Sequence, residues 1–413
     1  MKRKLSFIIL LIGALVPIYG AKAKTKKAQD PQEVLQRGRE AFYNYNFDEA
    51  ADLYEEYRTL KTKAKQPLDE ELEIWENELE IATNAFERVQ KIIVVDSLSF
   101  PEEVFFESYR LSPSAGKIVP ASSVGLENGS REAAYMNEAE DYIIYPKKNK
   151  EGELNLYESN ILLDGTREEI ESVQAYTEKS GDYAYPFMSA DGQTLYFANN
   201  GEESMGGYDI FIAQKDPFSG EYRQPLNLGM PFNSPFDDFM FAVDEESGLG
   251  WWATNRNSLD GQVTVYIFLY DDIRKNYPSD TENLEEYAKL TSYRSTWQDG
   301  KKEDIQPLLS KISSSSKKEG IKKDFMFSLG DGRVYTKISD FKNRRAADLM
   351  KQYQTMTHEF LDKENALNSM RVRYKSDKSS QTKLKKMESE VETLRSQLSD
   401  LRNEIIRIEK TGK

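Results

Sequence analysis

Apolar residues along this chain fall into four successive patterns, and each pattern calls for a different element. Leu5 to Val16 is an unbroken apolar run behind the basic Met1-Lys2-Arg3-Lys4. From Pro31 to about Gln90 apolar and small residues recur at three and four, the period of an amphipathic helix; Leu72, Trp75, Leu79, Ala82 and Phe86 mark the last such helix. After "KIIVVD" the runs shorten and are separated by Gly, Asn, Asp and Ser, which predicts many short strands. "TENLEEYAKLTSYRSTW" and "IQPLLSKI" return to helical spacing, "SSSSKK" (Ser313 to Lys318) reads as an exposed loop, and Asp324 to Phe341 reads as a hairpin turning at Gly330-Asp331-Gly332.

The tail carries heptads. Ala346, Leu349, Tyr353, Met356, Phe360, Leu367, Met370 and Tyr374 alternate by three and four, with Lys363 as the one polar interruption. Leu384, Met387, Val391, Leu394, Leu398, Leu401, Ile405 and Ile408 continue without fault, in a frame displaced by one residue. The discontinuity falls at "KSDKSSQ", Lys375 to Gln381. Two helices of about 30 residues, each about 45 Å long, would cover each other as an antiparallel hairpin. A continuous helix with a stammer in a parallel dimer satisfies the same pattern. The hairpin is favoured, because Ser and Asp compete with helical hydrogen bonding at the break.

The strand-rich region repeats itself. "LYFANN" (Leu195 to Asn200) aligns with "GWWATN" (Gly250 to Asn255), and "GGYDIFIA" (Gly206 to Ala213) with "GQVTVYIF" (Gly261 to Phe268), both at one offset of 55 residues. A fainter copy, "YIIYP" at Tyr142 and "LNLYES" at Leu154, lies 52 to 54 residues upstream. Periods of this length in all-β sequence suggest propeller blades.

Two resemblances follow from these residues. "VLQRGREAFYNYNFDEAADLYEEY" resembles a tetratricopeptide unit through Gly38, Ala50 and Tyr54, although Arg37 and Ala41 stand where a large apolar and an aromatic residue are usual. "YPFMSADGQTLYFANNGEESMGGYDIFIA" followed by "QPLNLGMPFNSPFDDF" resembles the TolB-like, WD-related propeller repeat. That resemblance implies a hairpin turn at Asp191-Gly192, a strand opened by Gly206, Gly207 and Asp209, and passage to the next blade through "LNLG" and "NSPFDD", which ends on Asp238. The third copy replaces the turn by "DEESGLG" and the second aspartate by Thr264, so not every blade needs them. Asp191 and Asp209 are therefore read as turn and backbone-bonding residues rather than catalytic ones.

The fold class expected is mixed and multidomain. A signal peptide (1–23) precedes tetratricopeptide-like helices (31–91), then an all-β propeller of four to six blades (92–341) with a helical insertion near 281–312. A C-terminal antiparallel coiled-coil hairpin (343–410) closes the order. Residues 92–131 and the hairpin at 324–341 are candidates for further blade strands.

Composition narrows the chemistry. The sequence has no cysteine, so lipidation at cysteine and disulfides are not expected. Formal charge is −14, and loss of Lys2, Arg3, Lys4 and Lys22 with the signal takes it to −18, against nucleic-acid binding. With His358 as the single histidine, at neither core position of its heptad frame, a Ser-His-Asp hydrolase and a zinc site are not expected. No phosphate loop or calcium loop occurs, and no cofactor is implied. Asp237 and Asp238 are adjacent, so alternation should point them to opposite faces and prevent their sharing an ion. Trp251-Trp252 would by the same rule turn one ring outward, where a sugar stacks.

The tail differs in sign from the body, since Asn343 to Lys413 holds 16 Lys and Arg against 11 Asp and Glu. Arg371, Arg373, Lys375, Lys378, Lys383, Lys385 and Lys386 crowd around the hairpin tip beside one acid, Asp377, and form the candidate interaction site toward an anionic surface. The expected function is an exported periplasmic or outer-membrane-associated scaffold with protein partners, no enzyme activity and no membrane span after signal removal. The resemblance extends to envelope proteins that join tetratricopeptide and propeller repeats, often with an OmpA-like domain, which has no counterpart in this sequence. The alternative is a carbohydrate-binding or glycoside-cleaving propeller.

Overall fold

The structure, a computed structural model, describes residues 30–121, 133–170, 180–298, 325–374 and 381–412. The expected signal segment (1–23), residues 305–318, Lys375 and Lys378 lie outside the described residues.

Helix α1 (Pro31–Tyr43) begins at Asp30, whose carboxylate accepts from the Gln32 N–H at 3.1 Å, with Pro31 at the first position, where no N–H is needed. Helices α2 (Phe47–Ala64) and α3 (Glu71–Phe86) follow. Gly38 decides how closely α1 and α2 approach: a Cβ there would lie 2.5 Å from Tyr54 Cε1. Ala50 and Tyr54 are buried in the resulting seam, and Arg39–Glu78 and Arg58–Glu76 ion pairs hold α3 against the pair.

The strands form three antiparallel sheets of four or five strands. The first has the order β2 (Lys117–Pro120), β3 (Ala133–Met136), β4 (Tyr142–Lys148), β5 (Leu154–Ile161), β6 (Arg167–Ile170). The second runs β7 (Tyr183–Met188), β8 (Thr194–Asn199), β9 (Asp209–Gln214), β10 (Leu226–Asn227). In the third, β11 (Asp238–Asp244), β12 (Leu249–Thr254) and β13 (Gln262–Leu269) are completed by β1 (Val94–Pro101), which comes before all of them in sequence and pairs along β13 from Val94↔Phe268 to Pro101↔Gln262. The sheets pack in succession, β7 against β3, β4 and β5, and β11 against β7, β8 and β9. The aromatic core lies between them.

The repeat extends to the backbone. Tyr185 (φ 54°) and Met240 (φ 50°), 55 residues apart, occupy register irregularities of β7 and β11, so the two copies share a bulge that non-glycine residues adopt only under constraint.

Three such sheets are found among the described residues, against the four to six blades expected. The difference has a physical source: the segment from 92 onward supplies β1 to the third sheet and β2 to the first rather than building a sheet of its own. Likewise β14 (Phe327–Ser328) and β15 (Val334–Tyr335) form a two-stranded ribbon whose Phe327 and Tyr335 pack into the core of the C-terminal helices. The outward Trp is also corrected. All six residues of β12 are buried, with Trp251 beside Tyr109 and Trp252 stacked on Tyr266, because this sheet is covered on both faces.

Helix α4 (Leu284–Lys289) and a 3-10 turn (Tyr293–Gln298) follow the third sheet. Helices α5 (Arg344–Tyr374) and α6 (Gln381–Thr411) pack antiparallel, as the pairs Arg345–Glu404, Lys363–Glu390 and Arg395–Glu364 require. Phe360, Leu367, Val391, Leu398, Ile405 and Ile408 fill their seam, and His358 is exposed outside it. No helix among the described residues is long and apolar enough to cross a membrane.

Candidate functional site

Asp209, Asp237 and Asp238 gather where the second and third sheets meet, whereas Asp191 closes the turn at the other end of β7. Asp191 Oδ1 accepts from the N–H groups of Gln193 (2.8 Å) and Thr194 (2.9 Å), and its Oδ2 accepts from the Thr194 hydroxyl (2.8 Å), closing a turn in which Gly192 takes φ 65°. Gly206 and Gly207 are where two backbones meet: a Cβ on Gly206 would strike the Pro235 carbonyl, and one on Gly207 would strike the Asp237 carboxylate.

Asp209 is fully buried. Its Oδ2 accepts from Met205 N (3.0 Å) and Asn227 Nδ2 (2.7 Å), while its Oδ1 has no hydrogen-bond partner. Burial holds this carboxyl well above the usual range; the Asn227 bond opposes the shift and the charge of Asp238 adds to it. The backbone it serves, at Met205, is thus buried rather than exposed.

Asp237 and Asp238 do diverge, as alternation requires. Asp237 Oδ1 accepts from Tyr208 N (3.0 Å) and Oδ2 from Asn255 Nδ2 (2.7 Å), linking the second sheet to the third. Asp238 turns inward, accepts from the Ser234 hydroxyl and pairs with Arg256, which is itself 1% exposed. Arg256 donates in addition to the carbonyls of Pro231 (2.8 Å) and Phe232 (2.7 Å), so the buried guanidinium is hydrogen-bonded on several sides. Burial pushes Asp238 up to about 6 against the pull of Arg256.

Sequence reasoning missed Arg256, Asn227 and Asn233. Asn233 presents its amide to β9 as another strand would, accepting from Ile210 N (2.7 Å) and donating to Ile210 O (2.9 Å). The signal was available, since Asn227 lies in "LNLG" and Asn233 in "NSPFDD". Arg256 stands where the preceding copy has Gly201, so the repeat itself gave no sign of it. A further pair repeats at 55 residues: Asp182 N donates to Asn200 Oδ1 (2.7 Å) and Asp237 N to Asn255 Oδ1 (3.0 Å).

This seam is built for cohesion. Its carboxylates are engaged with backbone N–H groups, amides and one guanidinium, and no three His, Asp or Glu side chains group to hold a metal among the described residues.

The basic tip is a separate place. Lys383, Lys385 and Lys386 are exposed in the opening turns of α6, and Lys386 reaches Glu390 at 3.8 Å. Arg371 and Arg373 sit in the last turn of α5. Among the described residues, the partners of Asp191, Asp209 and Asp238 all lie outside this tip.

Compared with models of known protein families and with curated proteins, the chain matches none.

Proposed function

We propose that the chain is an exported, non-catalytic scaffold of the cell envelope. In this reading the three sheets are blades of a small TolB-like propeller, and the helical elements carry binding surfaces for protein partners. The observation that carries it is the use of the repeat's carboxylates: Asp191, Asp209, Asp237 and Asp238 are engaged with backbone N–H groups, amides or Arg256. A general acid or base needs a carboxyl that reaches a substrate, and Asp209 and Asp238 have no exposed surface. The blade reading is supported by the repeated meander and by β1, which takes the fourth place in the last sheet as a closing strand would.

The basic tip adds a charged surface. Lys383 stands in the first turn of α6, where the helix dipole disfavours a cation by about 0.3–1 kcal/mol, so helix stability does not account for it. In this reading it serves contact with an anionic surface.

Affinity capture of the mature chain, beginning near Lys24, from envelope extracts tests the scaffold. Stoichiometric recovery of a protein that also co-fractionates with the chain in periplasm or envelope is the expected result. Recovery of glycan alone, with release of cleaved sugar, would overturn it in favour of a carbohydrate-active propeller.

A further inference from the structure

One end of the sheets is patterned by the repeat in a way that the packing of the sheets does not use. Leu154 N, at the start of β5, donates to Asp182 Oδ1 beside the start of β7 (2.8 Å), and Tyr208 N, beside the start of β9, donates to Asp237 Oδ1 beside the start of β11 (3.0 Å). These four strands therefore start level and run the same way, and their far ends emerge on one side.

Two sets of turns lie on that side. The turns between first and second strands, 137–141, 189–193 and 244–248, carry Glu138, Glu140, Asp141, Asp191, Glu245 and Glu246, all exposed, and no Lys or Arg. The loops after the third strands carry Leu163, Phe218 and Ile273, spaced at 55 residues and 112%, 98% and 64% exposed. These loops are built rather than frayed: Asp216 Oδ1 accepts from Phe218 N and Asp271 Oδ1 from Ile273 N, each at 2.9 Å. Large apolar side chains held outward at one repeat position mark an interaction surface.

Turns of neighbouring sheets adjoin there. Burial pushes the Tyr196 phenol up, and the charges of Asp191 from the second sheet and Glu245 from the third both add to the shift. An open cleft lined by Lys91, Glu245, Tyr270, Asp271, Asp272 and Lys275, the last paired with Asp271 at 2.7 Å, continues the same surface.

The helical elements reach the other end. Asn77 of α3 donates to the Glu202 carbonyl (2.7 Å), Tyr43 packs on Phe236 with ring centroids 5.3 Å apart, and Arg395 of α6 donates to the Ser258 carbonyl (3.0 Å). Ser399 meets Asp260 and Arg402 covers Gly261, so α6 crosses the loop 255–261 on the way to its tip. The middle of α6 is thereby held at the end away from the acidic turns.

We propose that the acidic turn face is the docking site for the basic hairpin tip of a second copy of this chain. Charge complementarity argues for that occupant: the turns carry six exposed carboxylates, of which Glu140 pairs with Lys117, against a tip that holds seven Lys and Arg beside Asp377. Leu163, Phe218 and Ile273 rim the contact with apolar surface. The contact is heterologous, tip to face, so successive copies form a ring where the rotation closes and an open chain where it does not. The inference rests on the scaffold reading and names the partner.

Sedimentation velocity of the mature chain over a concentration and salt series tests it. Expected is concentration-dependent self-association at low salt that dissolves as salt rises. Glu138→Lys with Glu245→Lys and Asp272→Lys, or Lys383→Glu with Lys385→Glu and Lys386→Glu, should each weaken association at least about tenfold. A chain bearing both sets should associate again. The tip set lies on an exposed helix and keeps the test valid if the face set does not fold. A wild-type chain that stays monomeric at low salt, or association indifferent to both sets, overturns the proposal. Either of those results leaves the scaffold reading standing, because that reading fails on turnover of substrate instead.

Discussion

Asp209 shows how a carboxyl of a repeat motif serves the backbone around it. Its Oδ2 holds two donors, its Oδ1 holds none, and burial favours the protonated form. A carboxyl raised in the folded state binds more protons than in the unfolded chain, so its contribution is fully present below the unfolded value of about 3.9 and is lost as pH rises toward the folded value. Asp209→Asn mimics the protonated acid and removes that loss. Chemical denaturation of both proteins from pH 4 to 8 should therefore show the wild type losing stability relative to Asp209→Asn, by up to about 1.4 kcal/mol per pH unit. A constant difference would mean that the carboxyl is ionised throughout. Arg256 makes the opposite case, a charge whose removal strands another. Arg256→Met leaves Asp238 buried without its cation and should cost about 3–5 kcal/mol by the same assay at pH 7.5, far more than removal of an exposed pair such as Lys351–Asp348.

Among elements, those governed by local periodicity were legible in the sequence and those governed by pairing between distant segments were not. The heptads of α5 and α6 gave both helices and their seam, because each apolar position reports its own turn. Gly38, Ala50 and Tyr54 gave the α1–α2 contact for the same reason. The place of β1 was not legible, since Val94 to Pro101 reads as a strand but nothing in it names β13, more than 160 residues away, as its neighbour. The Trp251-Trp252 expectation failed because alternation assumes one solvent face and β12 has none. At this scale Gly38→Val tests the helix contact. The added methyls meet the Tyr54 ring, and overpacking should cost about 1–3 kcal/mol, read as a lowered melting transition. An unchanged transition would show that α1 and α2 have room to separate.

For the whole molecule, cohesion comes from polar seams that recur at sheet boundaries and from a core that reaches across all three sheets. The helices and the C-terminal hairpin attach at one end of the sheets, which leaves the acidic turns and Leu163, Phe218 and Ile273 facing outward at the other. That division suits a scaffold with two binding ends. It also explains why the candidate site was only half legible: Asp191, Gly206, Gly207, Asp209 and Asp238 could be read from the motif, but the burial of Asp209 and Asp238 depends on loops folding over them. The central claim is that these carboxylates hold sheets together and do no chemistry. It is tested most directly by assaying wild-type and Asp209→Asn proteins side by side against a panel of glycosides, with circular dichroism on the same samples. The expected result is two folded proteins with no turnover above the buffer blank. Hydrolysis by the wild type that disappears in a fully folded Asp209→Asn protein would contradict it.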